Sequence, residues 1–277
     1  MQFGKKLIWL SGIAICLALV SSFARAHEGL PEQIVAITAK IKRDPKNASL
    51  YLQRGELYRL HRNWTRAAAD YDRAIRLRPD LKVVDLARGK MFFEAGKFER
   101  ARPALNRFLS EQPDHYEGLI TRARVLAKLG DRLEAAKDFT QAMTKASVPE
   151  PELYLERAQV IAGDAKYIDE ALSGLDEGIK RLGPLVTLQL SAIELELRRH
   201  NYDAALARLN VVTSQSERKE TWLVRRGEIL KLAGRQEEAH TAFNAALAAI
   251  ESLPTERRQS RVVTVLQLRA RSAIARQ

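Results

Sequence analysis

The sequence predicts an all-α protein in which similar helical hairpins stack into a solenoid. Three observations support this. Ala, Leu, Arg and Glu dominate the 277 residues, aromatics make up only 6%, and just 14 Gly and 9 Pro interrupt the chain, which favours helices over strands. Short segments recur at a fixed spacing. Small residues, large apolar residues and Gly or Pro fall at repeating offsets between them, as they must where one hairpin packs on the next. With 46% hydrophobic and 29% charged residues, the chain has a globular balance.

Residues 1–26 read as a secretory signal peptide and are set apart from the fold. Lys5 and Lys6 supply a positive start, Leu7 to Val20 is nearly all apolar, and Ala24-Arg25-Ala26 offers small residues at both positions that a signal peptidase needs. The apolar run of 14 residues is short of the roughly 18 to 20 that span a bilayer. Cleavage before His27 and a periplasmic or secreted mature chain are therefore expected; retention by an uncleaved membrane anchor is the alternative. Cys16, the sole cysteine, lies in this run, so the mature chain is expected to carry no disulfide, cysteine nucleophile or cysteine metal ligand. Removing Lys5, Lys6 and Arg25 lowers the formal net charge of +12 by three and leaves a basic chain. Outside the cytoplasm that balance points to acidic proteins, anionic lipid headgroups or polyanionic glycans, and no nucleic acid partner is expected.

Residues 27–47 are expected to form an N-terminal capping helix. Pro31 to Lys42 is amphipathic, with Ile34, Ile37 and Ile41 on one side. Pro45 lies 34 residues ahead of Pro79, so this segment has the look of the second half of a degenerate leading repeat.

The repeats occupy residues 48–253. Leu52-Gln53-Arg54-Gly55-Glu56-Leu57-Tyr58 recurs as Leu86-Ala87-Arg88-Gly89-Lys90-Met91-Phe92, 34 residues on, and a third copy begins at Ile120-Thr121-Arg122-Ala123. Val224-Arg225-Arg226-Gly227-Glu228-Ile229-Leu230 repeats it again. Six units result, near 48–81, 82–115, 116–149, 150–185, 186–219 and 220–253. The fourth has an extra residue near Lys166-Tyr167, and the fifth places Ile193 and Val212 where small residues are expected. Gly55 and Ala67 let two helices approach, with Tyr58 and Tyr71 filling the gap between hairpins. Gly96, Gly130 and Gly234 share one place between paired helices, where a left-handed residue ends the first; Pro79 and Pro113 stop the second.

This pattern resembles the tetratricopeptide repeat family. In the first unit Tyr51, Gly55, Tyr58, Ala67, Tyr71, Ala74 and Pro79 fall where that family places its large, small, large, small, aromatic, small and proline residues. The second unit agrees at Gly89, Phe92, Ala101, Leu105 and Pro113 but departs at Asp85 and Phe108. The third agrees at Leu119, Ala123, Leu126, Ala135, Phe139 and Ala142, and the sixth at Gly227, Leu230, Ala239, Phe243 and Ala246. The resemblance implies a right-handed α-solenoid of about six hairpins. It also implies a concave groove, lined by the first helix of each unit, that binds another protein or peptide.

Residues 254–277 are expected to be a basic C-terminal capping helix. Val262, Leu266 and Ile274, with Val263 and Val265 nearby, would pack on the sixth hairpin. Arg257, Arg258, Arg261, Arg269, Arg271 and Arg276 would form the other face. That face serves either as a solvated cap or as a contact with an anionic partner, membrane surface or glycan.

On the groove-facing places of the first helices lie Gln53, Glu56, Arg59, Lys90, Glu94, Arg124, Lys128, Glu228 and Lys231. Arg59, Lys90, Arg124 and Lys128 would form a basic strip suited to an acidic or C-terminal peptide segment; an ordinary charged surface is the alternative. The asparagine-and-lysine clamp of some chaperone-binding relatives is absent, with Leu52 and Glu56 at its first two places. Arginines also recur immediately before the small residue, at Arg54, Arg88, Arg122, Arg157 and Arg226. With Asp70 and Asp138 each 16 residues after an arginine of the set, the expected role is an ion pair inside the repeat rather than a phosphate-binding stripe.

Catalytic signatures do not occur: the sequence has no Gly-rich phosphate loop, no His-Glu-x-x-His and no Gly-x-Ser-x-Gly. The expectation is a non-enzymatic protein with no cofactor. The one metal candidate is His27, whose amine and imidazole could chelate a copper-like ion if cleavage makes it the N-terminus.

Overall fold

The computed structural model describes residues 29–275. The signal-peptide segment 1–26, with Cys16, His27 and Arg276, lies outside the described residues. Those described form helices with no strand among them. Helix α1 covers residues 29–43. It is followed by α2 (Ala48–Leu60), α3 (Trp64–Leu77), α4 (Val83–Glu94), α5 (Phe98–Glu111), α6 (Tyr116–Leu129) and α7 (Arg132–Lys145). Next come α8 (Pro151–Ile161), a single 3-10 turn at Ala165–Tyr167, α9 (Ile168–Leu182), α10 (Val186–Arg198) and α11 (Tyr202–Gln215). The chain ends with α12 (Glu220–Leu232), α13 (Gln236–Glu251), the four-residue α14 (Thr255–Arg258) and α15 (Arg261–Ala275). This is the all-α repeat architecture that the 34-residue period predicts. The chain divides into two compact units, Met1–Leu129 and Gly130–Gln277.

Helices start and stop for local reasons. Asn47, Asn63 and Asn201 cap α2, α3 and α11, each side-chain oxygen accepting a first-turn backbone N–H. Between paired helices, Gly96, Gly130 and Gly234 have φ of +70°, +88° and +74°, as their repeat position predicts. Two further residues take the same conformation without being glycine, Arg62 at φ 55° and His200 at φ 59°. They stand 34 residues before Gly96 and Gly234, so the turn is dictated by the repeat even where the residue opposes it.

Small residues set the close approaches in unit 1. A Cβ on Gly55 would stand 2.5 Å from the Tyr71 ring, and one on Gly89 would stand 2.5 Å from Leu105. Tyr71 is fully buried here with Ala67, Ala74, Val84 and Met91. Tyr58, expected to fill the same gap, is only partly buried, and the Arg54 and Arg66 guanidiniums lie over its ring. On α1, Ile41 is buried and Ile34 and Ile37 are half-buried, giving that helix its inner face.

Unit 2 repeats the device. A Cβ on Gly227 would stand 2.6 Å from Phe243, and Phe243, Ala239, Ala246 and Ile229 share a core with Val263, Leu266 and Ala270 of α15. The C-terminal helix thus packs on α12 and α13, through Leu266 and Ile274 as expected, but with Val263 inward and Val262 and Val265 outward. Val262 is 67% exposed whereas Val263 is 0% exposed. Helical rotation explains this, because residues 263, 266, 270 and 274 recur every three or four positions and form one stripe. Val262 falls off that stripe, and Ala270 is flat enough to sit against the neighbouring helix.

Candidate functional site

The recurring arginines are structural, and beside the expected aspartate they share a second contact. Arg54 does pair with Asp70, by two hydrogen bonds of 2.7 and 2.8 Å. The shared feature, however, is a contact 16 or 17 residues back, on the preceding helix. Arg54 donates to Thr38 Oγ1 at 3.2 Å, Arg122 to Asn106 Oδ1 at 3.2 Å, Arg157 to Thr140 Oγ1 at 3.1 Å and Arg226 to Asn210 Oδ1 at 2.6 Å, while Arg88 meets Asp72. Each arginine therefore stitches its helix to the one before it. The signal was present as a polar residue every 34 positions at Thr38, Asp72, Asn106 and Thr140. The fifth pair has Ala192 in the arginine position. There Arg208 of α11 crosses instead to Asp176 at 2.7 and 3.0 Å and to the buried Glu196.

In unit 1 the candidate groove residues have unequal fates. Arg59 is only 8% exposed. Its guanidinium is held by Glu56 at 3.0 and 3.2 Å and by Glu94, so the basic strip loses it. Glu56 also accepts the Tyr71 hydroxyl. Burial and then this carboxylate push the Tyr71 phenol well above the usual tyrosine range. Lys90 Nζ lies 2.5 Å from Glu117. Arg124 is half-buried, while Gln53 and Lys128 are exposed. Charges on neighbouring first helices are thus largely paired rather than uniformly positive.

In unit 2 the same kind of pairing joins Arg225 to Glu194, and Arg269 Nε to Glu228 at 3.0 Å. Between α12 and α15 lies a cleft of about 400 Å³, lined by Glu228, Lys231, Val265, Leu268, Arg269, Ser272 and Ala273. Val265 and Leu268 are 46% and 60% exposed, and Leu232, beside Lys231, is 62% exposed. The face of α15 expected to be purely basic therefore has apolar side chains along its middle. Arg257, Arg258, Arg261, Arg269 and Arg271 are all exposed around it, with Arg269 engaged by Glu228. Sequence reasoning missed this pair because it assigned Val265 to packing and did not single out Leu268.

No three His, Cys, Asp or Glu side chains among the described residues are grouped to hold a metal ion. No helix among them is long and apolar enough to cross a membrane.

Two family models match the sequence. The tetratricopeptide repeat model matches residues 36–81 and 86–147, and the tetratricopeptide repeat-like domain model matches 151–267. No curated protein matches it. Among solved structures, the chain is similar to a tetratricopeptide repeat protein from Parabacteroides merdae, with 21% identity and a TM-score of 0.53, covering 91% of this chain and 97% of that one. It is also similar to YrrB, described as a TPR protein with an unusual peptide-binding site, at 19% identity and a TM-score of 0.55 over 65% and 91% of the two chains. PilW, a type IV pilus biogenesis factor, is 18% identical with a TM-score of 0.54 over 74% and 96%. At these identities the likeness speaks for the fold alone, while the two family matches together run through most of the chain. With the 34-residue hairpins and their small-on-large packing, they show that the chain belongs to the tetratricopeptide repeat family.

Proposed function

We propose that this protein is a non-catalytic scaffold that seats a segment of another exported protein against its first helices, chiefly in the cleft between α12 and α15. Protein–protein interaction is the general role of the family to which the chain belongs. The observation that carries the finer reading is the exposure of Val265 and Leu268 together beside a cleft. Apolar side chains left in water next to a concavity are stabilised when a partner covers them. Lys231, at the cleft edge, favours a partner with acidic residues flanking its apolar ones. Export rests on residues 1–26, whose charged start, short apolar run and small cleavage-site residues form a signal peptide.

Peptides selected by display against the protein, labelled and titrated by fluorescence anisotropy, test this reading. Leu268→Glu should weaken binding at least about tenfold, a loss of roughly 1.4 kcal/mol. Val148→Glu, at another exposed valine of the same unit, should leave it unchanged. Equal affinity for both variants and the wild type would rule out the cleft as the seat.

A further inference from the structure

Unit 1 carries a separate charged surface on α3. Arg66, Arg73 and Arg76 are exposed and fall within about 80° of one another around the helix axis. Arg62 is exposed in the turn just before. Both acids of α3 are engaged elsewhere, Asp70 by Arg54 and Asp72 by Arg88. The four guanidiniums have no carboxylate at ion-pair distance among the described residues. Two of them are held over aromatic rings, Arg66 above Tyr58 at 5.6 Å and Arg73 above Tyr51 at 5.8 Å. The rings fix their position while leaving N–H groups available for acceptors. Of the other α3 residues, only the exposed Ala69 falls within that arc.

We infer that the α3 stripe is a docking surface for an anionic phospholipid bilayer. Three unpaired cations on one face of α3, with Arg62 in the adjoining turn, attract such a surface, each strengthening binding about fivefold, and several hundredfold together. Their spacing favours lipid over other polyanions. Arg66 and Arg73 are about 10 Å apart along the axis, whereas Arg73 and Arg76 are about 4.5 Å apart. Laterally mobile headgroups can gather beneath such uneven spacing. The regular phosphates of a nucleic acid, or the fixed carboxylates of a folded protein, would have to match it. Phosphate oxygens are also suitable acceptors for the forked guanidinium edge.

The test is co-sedimentation of the full chain with vesicles of equimolar phosphatidylglycerol and phosphatidylcholine, compared with pure phosphatidylcholine. Binding should require phosphatidylglycerol and weaken steeply with added salt. Replacing Arg62, Arg66, Arg73 and Arg76 together by Gln should lower the partition coefficient at least a hundredfold with helicity retained by circular dichroism. Arg73→Gln alone should lower it about fivefold, with Arg73→Lys keeping most of it, which tests the inference even if the fourfold variant folds poorly. The inference is overturned if the wild type does not bind these vesicles, or if the Arg73→Gln and fourfold variants bind as well as the wild type. It is equally overturned if the loss follows only from Arg257→Gln, Arg258→Gln and Arg261→Gln, or if the α3 changes abolish binding to an oligonucleotide or polyglutamate but not to vesicles.

Discussion

Arg54 grips Asp70 with two hydrogen bonds, Nε to Oδ2 at 2.8 Å and Nη2 to Oδ1 at 2.7 Å, joining α2 to α3. Asp70 is buried, so removing the arginine strands a carboxylate out of water. Arg54→Ala is expected to destabilise the protein by about 3 kcal/mol. Arg226→Ala, whose exposed partner Asn210 is neutral and can turn to water, should cost only about 1 kcal/mol. Urea unfolding midpoints of the two variants check the ordering.

The glycines of the repeats separate into two mechanisms. At Gly227 the obstacle is the Phe243 ring, 2.6 Å from an added Cβ. Gly227→Ala should therefore cost about 1 to 3 kcal/mol and be partly rescued by Phe243→Leu. At Gly96 nothing lies within 4 Å of an added Cβ, but φ is +70°. Gly96→Ala should cost about 1 kcal/mol with no rescue from any neighbour. Double-mutant unfolding measurements distinguish the two.

The seal at the C-terminal end depends on one side of α15. Val263→Asp puts a carboxylate into a site with no exposure and should destabilise unit 2 by about 3 kcal/mol or more. The adjacent Val262→Asp, at an exposed position, should fall within about 0.5 kcal/mol of the wild type. Similar losses from both would show that the helix is rotated from the arrangement described.

Tyr71 makes stability fall at alkaline pH. Burial, then its hydrogen bond to Glu56, raises the phenol's folded pKa. The stability tied to the neutral phenol is fully present below the unfolded value of about 10, and is lost as pH rises above it toward the folded value. The charged groups around it are Glu56, Arg59 and, through Arg59, Glu94. Tyr71→Phe should therefore be less stable than the wild type at pH 8 but show a shallower decline above pH 10. Denaturant midpoints taken across that range measure the difference; the other tyrosines are common to both proteins.

The hairpins, their left-handed turns and their small-on-large packing were legible from residue spacing alone, because each depends on local backbone geometry repeated every 34 residues. Gly55 opposite Tyr71 and the positive φ at Gly96 follow from position within the repeat. The non-glycine turns at Arg62 and His200 were not legible from residue type, since both side chains pay a steric cost there that glycine does not; their register with Gly96 and Gly234 carried the signal.

By itself, the sequence determined the period, the helices and the places where neighbouring helices come close. Only tertiary structure decided which long polar side chains meet. Arg88 and Arg226 reach backward to the preceding helix while Arg54 reaches both ways, and Arg59 is taken from the exposed face by Glu56 and Glu94. Tertiary structure also decided that Val263 is buried while Val265 and Leu268 remain open beside the cleft. The physical reason is reach and rotation. An arginine can find partners on either neighbouring helix, and a terminal helix contacts the stack on only one side. Its rotation is set by the shape it packs against, a quantity that hydrophobic spacing leaves undetermined.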